Sequence, residues 1–282
     1  MEMEEYRSGK KSLELACYIG GAGAFGLFLR WLELQLAFNE LGLPDPSVFH
    51  ALLILYALAA AAVFYAFIRR YSNQRLYVPD EFQAAFTHAG KLYLAARIAA
   101  GIIISAGGAL LYMQSGADRN ADDYQLIAIL GILAGICFIL FMSSADLKSP
   151  PNPWLLCLFS FIPMLFLAAW MVICYKVNTI NSVVLSYGTE MVAVAASMFA
   201  FFRLGGYVFG KPRWKHCLFS CMFACMLCLI CLADERYLGM QVMFLGIAAA
   251  LLLCSWVMVK NFRQGEAPKA ARKSSGGFES LD

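Results

Sequence analysis

"GGAGAFG" occupies residues 20–26, and two incompatible folds follow from it. Its segment Gly21-Ala22-Gly23-Ala24-Phe25-Gly26 fits G-x-G-x-x-G, the fingerprint of a dinucleotide-binding turn. "LELACYI" stands before it where a strand would be, and Glu40 lies where a ribose-binding carboxylate would be. That reading needs a second strand to carry the acid. Glu40 instead precedes a proline-containing loop and an alanine-rich apolar run. The other fold is a membrane-crossing helix whose small residues let neighbouring helices approach. Ala16, Gly20 and Ala24 recur every four residues, as do Cys17 and Gly21, and Ala22 and Gly26. At about 100° per residue, Gly23, Gly26, Arg30 and Glu33 share one face about 80° wide. The sequence therefore predicts that this face turns toward protein.

The rest of the chain favours the membrane helix. Of 282 residues, 61% are hydrophobic and 15% charged, against about 45–50% and about 25% in soluble domains. The apolar residues gather into eight runs, at 13–38, 48–68, 92–113, 125–144, 154–175, 183–206, 217–232 and 240–259. About 20 helical residues cross a bilayer core, and none of these runs alternates as a membrane β-strand would. The fold expected is an all-α, polytopic transmembrane helix bundle. The first run outlasts the apolar core of a signal peptide, about 7–15 residues, so it is read as an uncleaved span. The seventh is the shortest, with Trp214 and Lys215 placed to anchor its border.

Charge sets the orientation. Sixteen Lys and Arg residues fall in the termini and alternate loops on one side, three in the loops on the other, and three within spans. By the positive-inside rule both termini are cytoplasmic, as an even number of spans requires. The N-terminal tail covers 1–12. The basic tail 260–282 reads as disordered and as attracted to anionic lipid at the cytoplasmic face. In the inner loop, Pro79, Asp80 and Glu81 suit a helix start, and Phe82, Ala85, Phe86 and Ala89 follow at helical spacing. A short amphipathic helix over 79–90 is expected, either on the inner membrane surface or packed beneath the bundle.

Charges inside spans are costly and usually face a partner or a cavity. Arg30 and Glu33, three residues apart, are neighbours on one helix face. With Glu190 they lie in the outer halves of their spans and form a candidate substrate-binding site, an outward-facing polar pocket. The same three residues also suit a structural salt bridge. Arg97 and Arg203 lie near inner boundaries, where snorkelling guanidiniums reach headgroups. They are candidates for inner-leaflet anion or lipid headgroup contact.

Other motifs carry less. Cys217, Cys221, Cys225, Cys228 and Cys231 form a stripe on one helix face. Soft sulfur suits Cu(I), but cysteine is also a small packing residue, and a packing seam is the preferred reading. The histidines His50, His88 and His216 form no metal-ligand pattern, so no metal and no cofactor is expected. All ten cysteines fall in predicted spans, so no secreted disulfide framework is implied. Pro163 should kink the fifth span. Gly131-x-x-x-Gly135 and Gly206-x-x-x-Gly210 read as close-packing contacts. Basic residues are scattered along the inner loops, which gives no nucleic-acid surface.

"GAGAFGLFLRWLELQLAFNELGLPDP" and "VPDEFQAAF" give the chain its family likeness. It resembles uncharacterised small multi-spanning membrane proteins of Gram-positive anaerobic bacteria. The resemblance implies a bacterial plasma-membrane location and no established activity. The function expected is transport or sensing of a small solute at Arg30, Glu33 and Glu190, without enzymatic activity. The alternatives are a structural or partner-binding membrane subunit, including a homo-oligomer, and more remotely a membrane-embedded enzyme.

Overall fold

A computed structural model describes residues 2–36, 48–72, 76–77, 79, 81–88, 90–117, 120–147, 152–178, 184–210 and 212–264. Their order is α1 (Glu2–Leu36), α2 (Val48–Ser72), β1 (Leu76–Tyr77), α3 (Phe82–Phe86), α4 (Lys91–Gln114), α5 (Ala121–Ser144), α6 (Pro153–Asn178), α7 (Val184–Gly205), α8 (Trp214–Ile230), α9 (Leu238–Lys260) and β2 (Arg263–Gln264). The chain is an all-α bundle of transmembrane type. Among the described residues, seven helices are long and apolar enough to cross a membrane. The remaining long helix, α7, has 22 residues and carries Glu190 and Arg203. It joins the end of the bundle where Asn178 and Glu190 share a cavity to the end where Trp214 packs on Phe262.

The seventh apolar run is longer than its composition suggests. Trp214 starts α8, and the 3-10 turn Cys231–Ala233 extends it to 20 residues, about 30 Å. With α9 it forms the centre of the bundle. Helix α9 packs on α1, α4 and α8, while α5, α6 and α7 continue the ring from α4 round to α8. The α1–α2 hairpin leans on this body through α8.

Close approach depends on glycine where backbones nearly touch. A Cβ on Gly101 of α4 would stand 2.7 Å from the carbonyl oxygen of Gly135 on α5. One on Gly239 would overlap the Leu111 backbone of α4. The 206–210 glycines behave otherwise: those residues form a turn after α7, with Gly210 at φ 63°, so they are not a helix-packing pair.

In α1, a Cβ on Gly23 would strike Leu229, and one on Gly26 would lie 2.7 Å from Ile230 Cδ1. Both glycines therefore seat α1 on α8, and Tyr56 of α2 hydrogen-bonds the Ala22 carbonyl. Gly20 and Gly21 have nothing within 4 Å. The fourfold rows running through Gly20 and Gly21 are not the seam; the face of Gly23, Gly26, Arg30 and Glu33 is.

The helix expected over 79–90 is shorter. Among the described residues of this stretch, Phe82–Phe86 are helical, and Phe82, Ala85 and Phe86 are buried. Phe82 packs on Phe141 of α5 and Phe86 on Tyr207. Asn261 at the end of α9 donates to the Ala85 carbonyl at 2.7 Å. The segment is a strap under the bundle, because its aromatic side chains find protein and not lipid. A two-residue antiparallel pair, Leu76–Tyr77 with Arg263–Gln264, fastens it further. The tail beyond 264 lies outside the described residues.

Candidate functional site

The outer end of the bundle, as the charge count orients it, is where α1, α4, α6 and α8 finish. There the chain concentrates its buried charge. Arg30 is 1% exposed, Glu33 2% and Glu190 1%. The helical spacing of Arg30 and Glu33 makes them a pair, with Arg30 Nη1 donating to Glu33 Oε2 at 2.8 Å. His50, near the start of α2, hydrogen-bonds Glu33 Oε1 through Nδ1. The other side of the Arg30 guanidinium donates from Nε to Asp234 Oδ1 at 2.8 Å.

Asp234 continues the chain. It lies in the turn between α8 and α9, and its other oxygen, Oδ2, is 3.7 Å from Arg236 Nε. Arg236 Nη1 is 2.6 Å from Glu190 Oε2 on α7. Trp170 of α6 donates its indole N–H to Glu190 Oε1 at 2.7 Å. One chain of contacts thus runs His50, Glu33, Arg30, Asp234, Arg236, Glu190, Trp170. It joins α2, α1, the α8–α9 turn, α7 and α6. Gln241 fixes the turn by donating to the Asp234 carbonyl at 2.9 Å.

Two cavities flank this chain. A polar one of ≈ 690 Å³ is lined by Glu190, Glu235, Arg236, Gln241, Asn178 and the Tyr124–Tyr237 pair, among others. That volume lies within the range of small-molecule sites, about 300–1,000 Å³. A second, of ≈ 270 Å³, lies between α1, α2, α7 and α8, where Arg30, Glu33 and His50 meet Leu53, Ile54 and Val192.

The three residues singled out from the sequence are therefore in one network but not in one pocket. Arg30 and Glu33 touch each other and the smaller cavity; among the described residues, Glu190 is linked to them through Arg236 and Asp234. Asp234, Arg236, His50 and Trp170 were not legible as members. Asp234 and Arg236 counted as loop charges. The available signal was their spacing: Arg236 is the single base of its outer loop, and Asp234 and Glu235 stand beside it.

At the inner end, Arg97 is turned into the protein. It is 5% exposed, pairs with Asp146 at the end of α5, and donates to the Met142 carbonyl at 3.1 Å. Asp146 lies just beyond α5 in the next inner loop, and a buried guanidinium left without such a partner is costly. Arg203 differs. It is half-buried, with its guanidinium over the Phe199 ring at 4.6 Å.

The cysteine stripe of α8 is buried. Cys225 donates to the Ala248 carbonyl of α9, and Cys228 meets Ser197 of α7, each at 3.2 Å. Sulfur here fills the narrow space between α7 and α9. Among the described residues, no three His, Cys, Asp or Glu side chains converge as metal ligands would.

Comparison with protein-family models, curated proteins and solved structures finds no match to this chain.

Proposed function

We propose that this membrane protein moves or senses a small polar solute, without catalysing a reaction of its own. The observation that carries the reading is the ≈ 690 Å³ cavity at the outer end. Its wall holds a nearly inaccessible carboxylate, Glu190, and a guanidinium, Arg236. Buried charge beside open volume is expensive unless it serves a ligand or a conformational equilibrium. The resemblance and the charge count support the bacterial plasma membrane as its location. The half-buried Arg203 supports contact with anionic headgroups on the cytoplasmic face.

Water access tests the reading. Val177 lines the cavity, so Val177→Cys in intact cells should react with a membrane-impermeant thiol reagent added outside. Absence of labelling at this position and at Cys174, which also lines the cavity, would rule out a solvent-connected site.

A second reading, a structural or partner-binding membrane subunit, is favoured by the satisfied pairing of Arg30 with Glu33 and Asp234. A protein that copurifies in fixed ratio with the chain, together with an unlabelled cavity, would support it.

A further inference from the structure

The charge chain is unbalanced. Among the described residues, Glu33, Asp234 and Glu190 are its carboxylates, and Arg30 and Arg236 stand between them. Arg30 is taken up by Glu33 and Asp234, both at 2.8 Å. Histidine charge at His50 would fall at the far end, against Glu33. Among the described residues, Arg236 is the cation that faces both Asp234 and Glu190 at the cavity end. Its Nε is 3.7 Å from Asp234 Oδ2, beyond hydrogen-bond length. Glu190 Oε2 is paired with Arg236 Nη1 at 2.6 Å. An ionised carboxylate offers about four acceptor positions; Glu190 accepts from Trp170, and the Cys174 thiol lies beside it.

The rest of the wall suits the same charge. Glu235 adds a carboxylate at the cavity. Tyr124 and Tyr237 meet edge to face at 5.2 Å, and aromatic faces attract ammonium and guanidinium groups. Asn178 and Gln241 supply amide oxygens and N–H groups. An anion would meet Glu190 and Glu235, with Arg236 as the only cation in the lining among the described residues. A bare metal ion would need several oxygen ligands at short range, and among the described residues no three His, Cys, Asp or Glu side chains converge.

We propose that the cavity takes a small organic cation bearing N–H donors, a guanidinium or an ammonium, which binds Glu190 in place of the Arg236 side chain. This rests on the solute-binding reading above and names its ligand class. Arg236 acts as a tethered stand-in for the ligand. When the solute displaces it, Arg236 turns to Asp234, and the contact between Asp234 and Arg30 is exposed to competition. Occupancy at α6 and α7 is thereby felt at α1.

Charge-selective thiol labelling tests this on the full-length chain. Val177→Cys, in a Cys174→Ser background, is treated with a trimethylammonium-ethyl and with a sulfonatoethyl methanethiosulfonate. Each rate is divided by that for a free thiol in solution. The cationic reagent should be favoured about tenfold, as electrostatic focusing in a charged cleft allows. Glu190→Gln should reduce that preference to near unity, and Glu190→Asp should retain it. Methylguanidinium chloride should slow labelling of the parent, not of Glu190→Gln, and should protect at lower concentration in Arg236→Gln. Equal rates, preference for the anionic reagent, or protection unaffected by Glu190→Gln would overturn the cation assignment while leaving a solvent-connected cavity intact. Reaction with neither reagent would overturn the solute-binding reading itself, and this inference with it.

Discussion

The α8–α9 hairpin and the α1–α2 hairpin are built into the molecule in opposite ways, although α2 is as apolar as α8 and α9. Within their most apolar stretches, 67% and 72% of residues are buried in α8 and α9, against 28% and 22% in α1 and α2. Lipid tails are as apolar as leucine, so hydrophobicity does not draw one helix inside and leave another outside. Shape does. The central hairpin offers cysteines, methionines, alanines and glycines that mesh on all sides. The outer hairpin has one narrow glycine seam, and beyond it Leu55 and Leu58 face outward. What the outer hairpin lacks in contact it regains at one end, where Arg30 and Glu33 plug into the charge chain.

That contrast can be broken in four places. The largest effect is expected from Arg30→Met. It leaves Glu33 and Asp234 buried without their guanidinium, and such a loss costs about 3–5 kcal/mol. Equilibrium unfolding in mixed detergent micelles measures it, and a cost below about 1 kcal/mol would show that the α1–α2 hairpin does not depend on the charge chain. Next comes Gly239→Val, which forces a side chain into the α4 backbone beside Leu111. Overpacking of this kind costs about 3 kcal/mol, read as a lower midpoint of thermal aggregation in detergent.

The seam on α1 should show a change of sign. Gly26→Ala meets Ile230 and Tyr56 and should lower stability by about 1 kcal/mol. Gly20→Ala, with open space around it, should raise stability by up to about 1 kcal/mol, because alanine favours helix. Loss of stability from both would place the seam on a broader face of α1. The smallest effect is expected for Leu58→Ala. Leu58 is 64% exposed and faces lipid or detergent both in the folded state and in the membrane-bound unfolded state. The same micelle unfolding curve should move by no more than about 0.5 kcal/mol.

Several features were legible before any fold was known. Runs of apolar residues gave the helix class, because a bilayer forces each backbone group to be paired within its own helix. The helical spacing of Gly23, Gly26, Arg30 and Glu33 gave the inward face of α1, since side-chain direction on a helix follows from sequence position alone. The strap at Phe82–Phe86 was legible only as a helix. Its side of the boundary, protein or lipid, depended on Phe141 and Tyr207, which are distant in sequence. The partner of Arg97 was hidden for the same reason, since Asp146 lies 49 residues away.

Membrane residence, helical class and the pairing of Arg30 with Glu33 are local properties, carried by composition and period. The order of helices around α9, the link from Arg30 to Glu190 through Asp234 and Arg236, and the cavity beside that link belong to the tertiary structure alone. They depend on which helices touch. In a bilayer that choice is made by side-chain shape and by charges meeting across a bundle, neither of which the apolar pattern of a single helix records.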